Sequence, residues 1–294
     1  MSVSRRLARP FKRITFDLIT RTNLAILHSS AVFRRRTPPA SADSAARHFG
    51  LRAGGTVLVL APHPDDEALG AGATIAALSD FGVNVHVLLI TDGRLSGAGR
   101  LGQTPPERRA AIRTEEFTAG VAALGDRIMV CGPLAPETLS GDWADDPAVI
   151  ARAMTYASDC APTVILAPVT FDYHPDHRAT ASLARALAAR LAQTTNAPSL
   201  FSYEIQAPFA RSHNAVMIPA TPRHWQRKLA AVSCHDTQVA TTRLNLRLAR
   251  YRAALSRAPM GEAFLRVDHP TQDTILPRGT GPNPIHDLGL LFRR

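Results

Sequence analysis

The stretch Thr56–Ala61 (TVLVLA) runs directly into Pro62-His63-Pro64-Asp65-Asp66-Glu67, and this junction decides the fold that we predict. A continuous apolar run of this length is typical of a strand buried on both faces of a parallel sheet. Residues 67–81 follow with a helix-like pattern that ends at Gly82. The polar residues between strand and helix therefore lie at the strand's carboxyl end, where open α/β sheets bind their ligands.

Strand-like and helix-like segments alternate along most of the chain. We predict strands at Thr56–Ala61, Val83–Ile90, Arg127–Cys131, Thr163–Ala167, Phe201–Ile205 and Ala215–Ile218. We predict helices at Glu67–Phe81, Pro106–Leu124, Pro147–Cys160, His177–Ala192, Arg223–Val232 and Thr241–Ser256. This alternation predicts an α/β fold in which a mostly parallel sheet carries helices on both faces.

The composition predicts three parts: a basic arm and linker over residues 1–50, one domain over 51–266, and an extended Pro- and Gly-rich tail over 267–294. Three apolar residues of the arm share one face of a helix: Phe11, Ile14 and Leu18. This pattern fits a surface helix packed on the body, and it also fits an anchor for an anionic membrane surface.

The chain is basic, with a net charge of +10 from 34 Lys and Arg against 24 Asp and Glu, so an anionic partner is expected. The basic residues are not interleaved with aromatics, and no nucleic-acid-binding signature is present, so nucleic acid is not the expected partner. Three dispersed cysteines predict a reducing compartment. With no membrane-spanning apolar run, we expect a cytoplasmic protein, and the two interpretations of the arm leave a peripheral location at the membrane open.

A second polar turn, His174-Pro175-Asp176-His177, follows the fourth predicted strand and also opens a helix. If the two strands are neighbours, His63, Asp66 and His177 surround one metal ion. Two imidazoles and one carboxylate suit Zn²⁺ and leave a coordination position open for catalysis. We therefore predict one zinc ion per chain.

The side chains left over suggest the rest of a hydrolytic site. Asp65 is placed to act as general base towards water. His174, if protonated, would stabilise an oxyanion. Either turn alone would also fit a helix N-cap, but two such turns after buried strands favour the metal site. Asp176 and Glu67 are expected to cap helices or to orient the imidazoles.

These two motifs resemble those of the PIG-L/LmbE-like N-acetylglucosaminyl deacetylase family. The resemblance implies a Rossmann-like fold, zinc ligands at His63, Asp66 and His177, a general base at Asp65 and an oxyanion partner at His174. It extends over roughly residues 55–266 through weaker matches: Thr91-Asp92-Gly93, Arg113-x-x-Glu116, Lys228 with His235-Asp236-Thr237-Gln238, and Glu262-Ala263-Phe264.

Three further residues are candidates for contact with a substrate. The resemblance implies Arg113, and it suggests Tyr173, which stands next to the position where some family members carry a tyrosine. Trp143 lies among acidic residues and would stack on a sugar, unless its loop is an ordinary surface loop.

The function that we expect is zinc-dependent removal of the N-acetyl group from an N-acetylglucosamine-type conjugate. Two alternatives remain open: an amidohydrolase with the same site that acts on another N-acyl small molecule, and a basic nucleic-acid-binding protein.

Overall fold

The computed structural model of the chain centres on one seven-stranded sheet. It describes residues 41, 43–96, 101–138, 140–193, 197–207, 209, 215–238, 246 and 260–267. Residues 1–40, most of the helix predicted at Thr241–Ser256 and residues 268–294 of the tail lie outside these residues. Among the described helices, none combines the length and the apolar character needed to cross a bilayer.

The strands are β1 Thr56–Ala61, β2 Asn84–Leu89, β3 Ile128–Cys131, β4 Val164–Pro168, β5 Ser199–Tyr203, β6 Val216–Pro219 and β7 Gly261–Val267. The α-helices are α1 Ser44–Phe49, α2 Asp66–Asp80, α3 Pro106–Leu124, α4 Pro147–Cys160, α5 Pro175–Leu191 and α6 Pro222–Ser233. Two short 3₁₀ turns cover Asp142–Asp145 and Asp236–Gln238. The predicted elements within the described residues are all present, with ends that agree to within two residues.

Two elements, α1 and β7, were not predicted. Helix α1 falls within the predicted linker, yet Ala45, Ala46 and Phe49 are buried against the core. The folded unit therefore begins before residue 51. Strand β7 was not predicted because Glu262 and Arg266 interrupt its apolar pattern.

The strand order is β3-β2-β1-β4-β5-β7-β6, which confirms the mostly parallel α/β fold. Strands β1 to β5 pair in parallel, and β7 is antiparallel to both β5 and β6. The chain builds outward from β1 through β2 to β3, and then returns to place β4 on the other side of β1. The order reverses at this point, and such switch points are where doubly wound folds bind ligands.

Helices cover both faces of the sheet, as predicted. Alternate residues of β1 point to opposite faces. Val57, Val59 and Ala61 pack in the core that α1, α2, α3 and α6 line, while Leu58 and Leu60 pack in the core under α4 and α5. Burial on both faces explains why the β1 sequence is apolar without alternation.

Helix α2 approaches the sheet closely. A Cβ atom on Gly70 would lie 2.2 Å from Cδ2 of Tyr203, so only glycine fits here. The Tyr203 hydroxyl in turn donates a hydrogen bond of 2.6 Å to the carbonyl oxygen of Leu60. The contact ties the first half of α2 to strands β1 and β5.

A buried ion pair also holds α2 in place. The ammonium of Lys228 donates to Glu262 and, at 2.7 Å, to the carbonyl oxygen of Leu69. The carboxylate of Glu262 accepts hydrogen bonds from the backbone N–H groups of Ala73 and Thr74. This pair fixes α2, and with it the metal-site residue at its start, against α6 and β7.

Candidate metal centre

The two His-Pro-Asp turns meet at the switch point of the sheet. The turn that contains His63 follows β1, and the turn that contains His177 comes shortly after β4. These two strands are paired with each other in parallel. Three side-chain atoms converge there: Nδ1 of His63, Oδ2 of Asp66 and Nε2 of His177. The distances between them are 3.0 Å, 3.2 Å and 3.2 Å. The structure thus brings together the three residues that the sequence suggested as ligands.

This triangle has the dimensions of a metal site. Ligand atoms about 2.0–2.2 Å from a tetrahedral ion stand about 3.3–3.6 Å from one another, close to the separations that we observe. All three residues are buried. Two imidazole nitrogens and one carboxylate oxygen with no apolar atom between them fit a divalent ion, because a buried cation balances the carboxylate.

The outer nitrogen of each imidazole lies against another carboxylate. Nε2 of His63 is 3.0 Å from Oδ2 of Asp176, and Nδ1 of His177 is 3.2 Å from Oδ1 of Asp172. A proton on Nε2 of His63, shared with Asp176, would leave Nδ1 with its lone pair towards the triangle, and a proton on Nδ1 of His177, facing Asp172, would do the same for Nε2. Carboxylates orient metal-binding histidines in this way in many sites.

Without a metal ion, the carboxylates around the two imidazoles favour their protonated form. Burial lowers the pKa of His63, but hydrogen bonds with Asp176 and Asp66 outweigh burial and raise this pKa to about 9. The pKa of His177 is likewise raised despite burial, by Asp66 and Asp172. Burial raises the pKa of Asp66, but the two imidazoles outweigh it and lower this pKa. Since ligand atoms must be deprotonated, binding a metal here releases protons.

Asp65 stands beside the triangle without being part of it. Its backbone has a φ of 128°, a conformation that costs a non-glycine residue about 1–3 kcal/mol. Burial raises the pKa of its carboxyl group to about 7, against the opposing effect of Arg113. The guanidinium of Arg113 lies 3.4 Å from Asp65 and donates to the carbonyl oxygen of Pro64. Arg113 therefore holds the strained turn in position.

His174 lies at the edge of the site and is partly exposed. Its ring centre is 4.6 Å from that of His63. Its Nδ1 accepts a hydrogen bond of 3.2 Å from the backbone N–H of Asp176, which caps helix α5. An Nδ1 that accepts carries no proton, so the ring N–H that could donate to an oxyanion is that of Nε2. His174 also takes part in two groups of side chains that could hold a metal ion, one with His63 and His177 and one with His63, Glu137 and Asp176.

The candidate substrate contacts lie in different surroundings. Trp143 is only 5% exposed and packs in the core beneath α4 and α5, so the predicted stacking on a sugar does not fit. The reason is that the turn that carries Trp143 folds inward. There the indole N–H donates a hydrogen bond of 2.7 Å to Oδ1 of Asp176. Arg113 is 3% exposed, and its guanidinium contacts Asp65. Tyr173 is half-buried and packs with Phe209 beside the site.

Sequence analysis missed two acidic residues of the site. Asp172 contacts His177 and accepts hydrogen bonds from the backbone N–H groups of residues 174, 206 and 207. Its position two residues before His174 was the only signal for it. Glu137 lies 3.7 Å from Nε2 of His63 and accepts from the backbone N–H of Leu95. No local pattern marks Glu137, since a long loop brings it in.

The fold and the site together define a class: a Rossmann-like α/β protein with a candidate centre for metal-dependent hydrolysis at its switch point. Residues 58–188, which contain both turns, match the family described as PIG-L, GlcNAc-PI de-N-acetylase. This part of the chain is similar to the PIG-L family.

Curated relatives are named as deacetylases. The chain is 31% identical over 130 residues to the diacetylchitobiose deacetylase of Thermococcus kodakarensis, an alignment that covers 42% of this chain and 45% of the relative. It is 29% identical to the 1D-myo-inositol 2-acetamido-2-deoxy-alpha-D-glucopyranoside deacetylase of Mycolicibacterium vanbaalenii, over 58% of this chain and 66% of that protein. The chain thus spans less than half of the first relative's length and slightly less than two thirds of the second's.

Solved structures share the fold. The 4-carboxy-2-hydroxymuconate hydratase GalB of Pseudomonas putida superposes with a TM-score of 0.60 over 73% of this chain and 97% of that one, at 19% identity. At this identity the likeness concerns the fold alone.

The geometry predicts which histidine is a ligand. Replacing His177 (His177→Gln) should weaken Zn²⁺ binding by more than about 100-fold, since it removes a corner of the triangle and not only an orienting partner. The matched substitution His174→Gln should leave the affinity close to that of the unsubstituted protein. Competition with a chelating dye measures both, and equal losses would contradict the assignment.

Proposed function

We propose that the protein is a zinc-dependent hydrolase that removes the N-acetyl group from an N-acetylglucosamine-type amino-sugar conjugate. The observation that carries the proposal is the buried triangle of His63, Asp66 and His177 with a spare carboxylate, Asp65, directly beside it. The match of residues 58–188 to the PIG-L family and the names of the two relatives support the amide hydrolysis and the sugar class of the substrate.

Zinc is the metal that this donor set favours. Two imidazole nitrogens and one carboxylate oxygen are common in catalytic zinc sites, which keep one position open. When bound, the ion would lower the pKa of water and polarise the carbonyl oxygen of the acetyl group.

Asp65 supplies the proton chemistry. Its carboxylate takes a proton from the attacking water and later passes it to the sugar nitrogen as the amide bond breaks. Because Asp65 is held by its strained turn and by Arg113, it keeps a fixed place beside the triangle. A fixed base avoids the entropy cost of orienting it for each reaction.

His174 is our candidate for stabilising the negative charge that develops on the acetyl oxygen. Its Nε2 carries the proton because its Nδ1 accepts from the backbone of Asp176. We assign this N–H the task of donating to the oxygen that becomes negative when water attacks the acetyl carbon. Tyr173, next to His174 and half-buried, is our candidate for contact with the sugar.

The alternatives share parts of this site. An amidohydrolase of other N-acyl compounds would use the same residues, and only the family and the relatives' names favour the amino sugar. The hydratase neighbour indicates that this fold also hosts addition of water to other bonds. A nucleic-acid-binding function leaves the buried triangle unexplained.

We further propose a cytoplasmic location at an anionic membrane surface. The support is the sequence of the basic arm, residues 1–36, with its amphipathic pattern and its clusters of arginine.

Acetate release tests the proposed function. Incubated with N-acetylglucosamine, N,N′-diacetylchitobiose and an N-acetylglucosaminyl-inositol, the zinc-loaded protein should release acetate and free amine in equal amounts from at least one. A chelator should abolish the release, and Zn²⁺ should restore it. Turnover of N-acetyl amino acids alone would favour the rival amidohydrolase, and hydration of an unsaturated acid without acetate would favour a hydratase.

Asp65→Asn tests the base. We expect turnover to fall by about 10²–10⁴-fold, since the amide cannot accept the proton, while Zn²⁺ affinity is kept. The exposed carboxylate of Asp145 offers a matched control, Asp145→Asn, which should leave turnover unchanged. Turnover of Asp65→Asn equal to that of the control would remove Asp65 from the mechanism.

Vesicle binding tests the arm. The full chain should sediment with vesicles that contain an anionic phospholipid, less so at high salt, and not with neutral vesicles. A variant without residues 1–36 should lose this binding and still release acetate from a soluble substrate. If the shortened chain sediments as well as the full chain, the membrane proposal fails.

A further inference from the structure

Trp143 occupies an unexpected place in the molecule. It lies in the 3₁₀ turn Asp142–Asp145, just before α4, and its indole is buried in the core beneath α4 and α5. The indole N–H, the only polar group of the side chain, donates a hydrogen bond of 2.7 Å to Oδ1 of Asp176. A buried aromatic ring therefore aims its one donor at a carboxylate of the metal centre.

The two oxygens of the Asp176 carboxylate contact different residues. Oδ1 accepts from Trp143, and Oδ2 lies 3.0 Å from Nε2 of His63. The carboxylate is fully buried, so water does not compete for either oxygen. With Oδ1 engaged by a neutral donor, Oδ2 is the oxygen presented to His63. This sets the imidazole so that its Nδ1 faces the triangle.

The turn that carries Trp143 is packed tightly on α5. Gly141 has a φ of +73°, and a Cβ atom there would lie 3.1 Å from the carbonyl oxygen of Pro175 and 3.2 Å from Cβ of Ala179. The turn is therefore in contact with the same helical turn that carries Asp176. Donor and acceptor are held by one packed unit, which limits rotation of the indole.

From these contacts we infer that Trp143 is a positioning residue of the metal centre, which acts through Asp176 to orient His63. The inference rests on the metal site of the proposed function, but it does not depend on the identity of the substrate. Without the indole N–H, Oδ1 of Asp176 has lost its buried donor, so the carboxylate is free to rotate or to draw in water. His63 then loses its fixed orientation, and the triangle loses part of its preorganisation.

The test is the affinity of the metal-free protein for Zn²⁺, measured by competition with a chelating dye. Trp143→Phe keeps an aromatic ring and removes the donor, and it should weaken Zn²⁺ binding by about 10-fold, the low end of the effect of losing an outer partner of a ligand, because Asp176 itself remains. Trp225 provides the matched control: it is also buried, but it packs with Ala73 and Ala220 away from the triangle. Trp225→Phe should leave the affinity unchanged.

Two further measurements separate orientation from packing. Replacement of Trp143 by 3-(benzothienyl)alanine keeps the bicyclic shape and removes only the N–H, and it should weaken Zn²⁺ binding as Trp143→Phe does. It also serves if Trp143→Phe fails to fold. In the Asp176→Asn background, the loss of Trp143 should add little, because its effect passes through that carboxylate.

The outcomes are separable from those of the proposed function. An affinity in the Trp143 variants equal to that of Trp225→Phe would overturn the inference, and so would full additivity with Asp176→Asn. Tight Zn²⁺ binding that depends on Trp143, in a protein that releases no acetate from any amino sugar, would support the inference and refute the proposed function.

Discussion

The parallel pairing of β1 with β4 is the constraint on which the site depends. The two strands lie side by side with Val59 opposite Leu166, so their carboxyl ends open at the same place. Each strand leads into a His-Pro-Asp turn that starts a helix. The pairing thereby brings His63 and Asp176, which are 113 residues apart, to within 3.0 Å. The contacts of His177 with His63 and Asp66, and of Asp176 with His63, follow from that meeting.

Charge is the second feature that unites the site. Five acidic side chains are buried in and around the junction: Asp65, Asp66, Glu67, Asp172 and Asp176. Buried carboxylates destabilise a protein unless hydrogen bonds or opposite charges compensate them. Two imidazoles, one guanidinium and one indole N–H provide part of that compensation, and a divalent cation in the triangle would provide more. The density of negative charge is thus a physical argument for a metal that is independent of the family.

The fold positions this chemistry without specifying it. A solved hydratase shares the fold, and relatives that are similar in sequence are named as deacetylases. What narrows the reaction here is the donor set together with Asp65, which sits on a strained turn beside it. The pair formed by Lys228 and Glu262, far along the sequence, holds the helix that carries Asp66. Structural residues outside the turns thus maintain the geometry that the reaction needs.

The sequence by itself determined the alternation of strands and helices, the two polar turns and the residues able to bind a metal. These are local properties: apolar runs and capping residues act over a few positions, so the ends of α3 and α4 agree with prediction residue for residue. Tertiary structure alone decided that Trp143 serves Asp176, that Asp172 orients His177, and that Glu137 reaches His63. The contacts of Trp143 and Glu137 join residues distant in sequence, and their partners are selected by strand pairing and core packing. Asp172 and His177 are only five residues apart, but their contact depends on how the loop before α5 folds, which the local pattern does not specify.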